Sequence, residues 1–124
     1  MRGENRGRPK LFLVAAVYNW VVALALGLFH DPLLSALQAP PLTHPAALEL
    51  FAALAFVFGI GYFRAYLDPA QNRPIIVLGI QGKLAVFLVC AAHYLAGDLP
   101  GAMFLGGVGD VVFAGLFMRY LQKN

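Results

Sequence analysis

Residues 11–29 read LFLVAAVYNWVVALALGLF, a stretch with no charged side chain and a single amide, Asn19. At ~1.5 Å per residue, a helix over this stretch is long enough to cross a ~30 Å hydrocarbon layer. A strand of that length would be far too long, and the ~10-residue dyad pattern of an outer-membrane barrel is missing. The stretch therefore reads as a membrane-spanning helix, and the pattern recurs. A second apolar segment covers about 45–67, with Glu49 near its start and Arg64 near its end. A third covers about 75–96, interrupted by Gln81 and Lys83, and a fourth about 101–120, interrupted by Asp110. The predicted fold class is all-α: an integral membrane four-helix antiparallel bundle forming one transmembrane domain over 1–124.

Composition points the same way. Of 124 residues, 60% are hydrophobic and 12% charged, against about 25% charged in an ordinary soluble domain. So few charges cannot cover the surface of a compact soluble domain of this size. Intrinsic disorder fails on the same numbers, because it needs low hydrophobicity and high charge. A single cysteine, Cys90, excludes an internal disulfide framework and any multi-cysteine metal site within one chain. Its apolar setting reads as a small buried hydrophobe.

The connections carry turn and cap chemistry. Asp31-Pro32, Asp68-Pro69 with Arg73-Pro74, and Asp98-Leu99-Pro100-Gly101 all break helices. Segments two to four are joined by short connections, which predicts antiparallel neighbours. The first connection, about 30–44, is longer. Within it residues 32–38 can form a short interfacial helix, stopped before Pro40-Pro41.

Orientation follows from the basic residues. Arg2, Arg6, Arg8 and Lys10 precede the first helix, Arg64 and Arg73 flank the second connection, and Arg119 and Lys123 end the chain. The other two connections contain neither Lys nor Arg. Both termini are thus predicted to be cytoplasmic under the positive-inside rule, in a bacterial inner membrane. This accounts for the net charge of +3 without a nucleic-acid-binding arm. Ala23-Leu24-Ala25 resembles a signal-peptide cleavage site, but the apolar run continues past it to Phe29. Tyr62, Tyr66 and Tyr120 fall towards the inner interface and Tyr94 towards the outer one.

Lys83 and Asp110 remain at membrane depth, where a charge costs about 2.5–3.5 kcal/mol on insertion scales. They lie about 12 Å and about 15 Å from the inner ends of their helices. Antiparallel neighbours bring them to nearly one level, so a buried pair is expected, with Asn19 at the same level as a third member. The pair reads either as structural glue or as a relay or ligand contact. On the fourth helix Met103, Gly106, Asp110, Ala114 and Phe117 form one stripe. Ala102, Gly106, Asp110 and Ala114 repeat every four residues, with Gly107 and Gly109 alongside, a small-xxx-small spacing. Ala15, Ala16, Asn19, Ala23 and Leu26 share a face of the first helix. Tyr18 and Trp20, flanking Asn19, read as core filling or as part of a ligand pocket. Gln81 is about 160° from Lys83 around its helix, so it reads either as a second contact face of that helix or as a polar residue merely tolerated in the inner third of the bilayer.

A second polar layer sits at the outer side: His30, His44, His93 and Glu49, with Asp31 and Asp98. Such residues can bind a metal or haem, or titrate between about pH 5 and 8. No ligand-spacing motif joins them, so no metal site and no cofactor is assigned. No catalytic residue is assigned either: no Ser or Cys nucleophile has a base in register, and no dinucleotide, P-loop or HExxH motif appears.

Two stretches, Gly59-Ile60-Gly61-Tyr62 with Asp68-Pro69 and Arg73-Pro74, then Leu78-Gly79-Ile80-Gln81-Gly82-Lys83-Leu84, resemble segments of small bacterial four-helix membrane proteins. A closing Gly109-Asp110-Val111-Val112-Phe113-Ala114 extends the likeness. The layout is similar to the broad DoxX-like group. The resemblance implies a four-helix inner-membrane bundle and carries over no catalytic residues.

Three function classes follow. The first is a small non-enzymatic membrane protein, an accessory or interaction subunit. It would contact the lipid bilayer and another membrane subunit or itself, through the Gln81 face or the glycine-rich fourth helix. The second is a small transporter or lipophilic-ligand carrier built on Lys83 and Asp110. The third is a membrane redox or cofactor protein using the outer histidines.

Overall fold

The computed structural model describes residues 8–40 and 43–124, apart from the Ala102 side chain. Arg2, Glu4, Arg6 and Pro41 lie outside the described residues, as does the side-chain role expected for Ala102. Among the described residues there are five helices and no strand: α1 (Lys10–Leu28), α2 (His30–Ala36), α3 (Ala46–Leu67), α4 (Arg73–Ala96) and α5 (Gly101–Lys123). Four of them, α1, α3, α4 and α5, are long and apolar enough to cross a membrane. The chain is a multi-pass helical membrane protein. Large apolar side chains such as Val21, Leu28, Leu50, Leu54 and Leu105 point outward. In water this surface would form apolar patches beyond those of a soluble monomer; in a bilayer it is the lipid-facing side.

The helix limits sharpen the sequence reading. The last helix runs on to Lys123, past the expected end near 120, because no Pro or Gly follows Tyr120 to stop it. The third long helix opens at Arg73, with Pro74 in its first turn, where a missing N–H leaves no bond unmade. The short helix begins at His30 and ends at Ala36, again with its proline in the first turn.

The chain divides into two compact units, Met1–Arg73 and Pro74–Asn124. In the first, α1 packs along α3 in opposite directions, with Arg8 near Leu67 at one end and His30 near Glu49 at the other. Small residues let the backbones approach. A Cβ added at Gly27 would lie 3.2 Å from the Ala52 Cβ, and one at Gly59 would lie 3.3 Å from the Ala16 carbonyl oxygen. Phe12, Ala15, Ala16, Asn19 and Ala23 are the buried face of α1, and Ala52, Gly59, Tyr62 and Ala65 that of α3. The carbonyls ending α3 are taken up from two sides. Asn72 Nδ2 donates to Arg64 O at 3.1 Å and to Asp68 O at 2.8 Å, and Arg8 Nε donates to Leu67 O at 3.4 Å. A cation at this end also suits the helix dipole.

In the second unit α4 and α5 run antiparallel. Lys83 meets Asp110, Cys90 lies against Gly107, and Tyr94 stacks on Phe104 with centroids 4.5 Å apart. Gly97, at φ +88°, ends α4 in the left-handed conformation that only glycine adopts without strain. The amides of Gly97 and Asp98 close the helix onto the Tyr94 and His93 carbonyls. The stripe expected on α5 is corrected here. Gly106 is exposed, and a Cβ there meets no atom within 4 Å. The buried glycine is Gly107, one residue on, where a Cβ would be 3.0 Å from the Cys90 Cβ. The packed stripe is therefore Gly107, Asp110, Ala114 and Phe117. The Lys83–Asp110 bond sets the rotation of α5, and that rotation brings Gly107 inward in place of Gly106.

Candidate functional site

Lys83 sits midway along α4 between Gly79 and Phe87, with its side chain only 4% exposed. Its Nζ donates to Asp110 Oδ1 at 2.8 Å, and Asp110 is itself 16% exposed. The ammonium also lies 5.2 Å from the centre of the Phe113 ring, within cation–π range. Phe113 carried only a resemblance in the sequence, although its spacing of i+3 from Asp110 puts both on one face of α5. Taking either ion alone out of water costs several kcal/mol, and the short contact offsets this by charge attraction plus a charge-assisted hydrogen bond. The pair expected from the two depths is thus formed within one helical hairpin.

Gln81, two residues before Lys83, is exposed, as the angle between them requires. No hydrogen bond to the described residues takes up its side-chain amide. An amide moved into an apolar medium without a partner costs roughly 2–7 kcal/mol, depending on the reference.

Asn19 belongs to the first unit, where its Nδ2 donates to the Ala55 carbonyl at 2.9 Å and ties α1 to α3. Trp20, beside it, is core filling between the two helices. Its ring is 6.1 Å from Phe56 and 5.9 Å from Phe63, and it occupies the space left by Gly59. The indole Nε1 is buried with no hydrogen-bond partner among the described residues. The Trp20–Gly59 fit was not found in the sequence, where Gly59 carried only a resemblance.

The outer histidines do not act alike. His30 bridges two carboxylates, with Nδ1 3.0 Å from Asp31 Oδ1 and Nε2 3.2 Å from Glu49 Oε2, and so links α2 to the first turn of α3. His93 Nδ1 lies 2.9 Å from Asp98 Oδ1 and clips the turn after α4. His44 is exposed between α2 and α3. Among the described residues no group of three or more His, Cys, Asp or Glu side chains is arranged to hold a metal ion. Cys90 is half-buried against Gly107, as a small apolar filler would be. No protein-family profile, no curated protein and no solved structure matches the chain.

Proposed function

We propose that the chain is a small non-enzymatic subunit of a bacterial inner membrane, DoxX-like in layout, that works by association within the bilayer. Its four spans form an antiparallel bundle with both termini in the cytoplasm. The observation that carries this reading is the division of labour between two neighbouring polar residues on α4. Lys83 is buried and neutralised by Asp110 at 2.8 Å, whereas Gln81 carries an amide outward at membrane depth. The ion pair acts as internal glue that orients the helix, and the outward amide is a handle for another membrane helix.

The test is native mass spectrometry of the purified full chain in detergent, joined to reconstitution of the Lys83→Met/Asp110→Leu double variant. An associating subunit is recovered in an oligomer or complex, and the folded double variant keeps that assembly. A monomeric wild type overturns the reading. So does a proton or solute flux in proteoliposomes that the folded double variant loses, which would make the chain a transporter. Co-purifying haem or metal, with visible absorbance, would move the function to the outer histidines.

A further inference from the structure

The outward face of α4 has an internal order. Leu78, Gln81, Ala85, Leu88, Ala92 and Leu95 are all exposed, and they are separated by three and four residues alternately. That is a 3.5-residue period sustained over the outer two-thirds of the helix. It is the spacing of a left-handed helix–helix seam, in which side chains of one helix fill holes in another. Within it, the bulky Leu78 is followed by the small Ala85 and Ala92 on one edge. Leu88 and Leu95 stand on the other edge, so bulk on one helix can enter space on its neighbour. The rotation that exposes this seam is locked from behind by the Lys83–Asp110 bond.

We infer that this seam is the interface for a second copy of the chain, paired about a two-fold axis along the membrane normal with Gln81 of each copy bonded to the other. The inference rests on the associating role proposed above and names its partner. Two arguments select a second copy over a different protein. Copies inserted in the same orientation must present α4 in parallel, so the two-fold axis brings equivalent residues to the same depth. A glutamine amide holds both donors and an acceptor, so Gln81 is complementary to itself. A different partner would need an amide or similar group placed independently at that depth; the second copy has it by symmetry. The surrounding residues, alanine and leucine, carry no charge that would repel an identical helix.

The experiment uses the full chain in lipid nanodiscs and in detergent. Cysteine is introduced at Ala85 in the seam or at exposed Val112 on α5, each with Cys90→Ala, and the samples are oxidised. Native mass spectrometry follows the oligomer of the wild type, Gln81→Leu and Gln81→Asn, with helicity checked for each. A disulfide dimer at Ala85→Cys and little at Val112→Cys is expected. Gln81→Leu should raise the dimer dissociation constant about 10-fold, with Gln81→Asn recovering part of the loss. A dimer that cross-links equally at both positions and is indifferent to Gln81→Leu overturns the inference. A complex with another protein on the seam also overturns it, while leaving the associating role standing. A wild type that is monomeric in both media overturns both.

Discussion

The Lys83 ammonium donates to Asp110 Oδ1 at 2.8 Å and joins the middle of α4 to the middle of α5. One bond thereby fixes the depth of one helix against the other and the rotation of both, because both residues are largely hidden and neither charge is tolerated alone in hydrocarbon. Lys83→Met or Asp110→Leu alone is expected to destabilise the fold by about 3–5 kcal/mol, since each leaves an uncompensated buried charge. The double variant should lose much less. SDS-titration unfolding of the four species measures the coupling, and additive single effects would show that the bond does not hold the hairpin.

Gly59→Ala is expected to destabilise the first unit by about 1–3 kcal/mol through overpacking. The added methyl would stand 2.6 Å from Trp20 Nε1, and the indole cannot retreat without disturbing its packing on Phe56 and Phe63. Trp20 is the sole tryptophan, so its emission spectrum reports the displacement directly. An unchanged spectrum with unchanged stability would contradict the fit.

The two adjacent glycines of α5 should respond in opposite directions. Gly107→Ala brings a Cβ to 3.0 Å from the Cys90 Cβ and should lower the melting temperature. Gly106→Ala meets open space, so the better helix propensity of alanine should be neutral or stabilising by up to about 1 kcal/mol. Thermal scanning of both variants side by side decides the rotation of α5.

Glu49→Gln should loosen α2 without unfolding the chain. The Glu49 carboxylate is half-exposed, so its contact with His30 contributes no more than an exposed pair does, about 0–1 kcal/mol. Amide hydrogen exchange over Leu33–Leu37 should accelerate several-fold while α1 and α3 keep their protection. Equal acceleration in all three helices would mean that His30–Glu49 supports more than the docking of α2.

Topology is checked with cysteines at Asp98 and Asn124, each in a Cys90→Ala background. In intact cells an impermeant maleimide should label Asp98→Cys, and label Asn124→Cys only after permeabilisation. The reverse pattern would invert the proposed orientation.

The linear chain already contained the level of the Lys83–Asp110 pair, because helical rise and short connections convert sequence distance into depth. It also separated Gln81 from Lys83, since helical residues two apart in sequence point about 160° away from each other. The glycine that packs on α5 could not be read this way. Gly106, Gly107 and Gly109 are all small, and an apolar helix in lipid has no polar face to reveal its rotation. The Trp20–Gly59 fit was hidden for a related reason: it depends on which side chain of one helix reaches which gap in another.

Sequence by itself determined four membrane-length helices and the two charges that had to find partners, because hydrocarbon thickness and the expense of a buried charge act on composition and spacing. Tertiary structure alone decided which glycine is buried, that Asn19 bonds the Ala55 carbonyl, and that His30 joins Glu49 while His93 joins Asp98. Those choices turn on helix rotation and side-chain fit, which short-range packing sets and which leave no periodic trace in so uniformly apolar a chain.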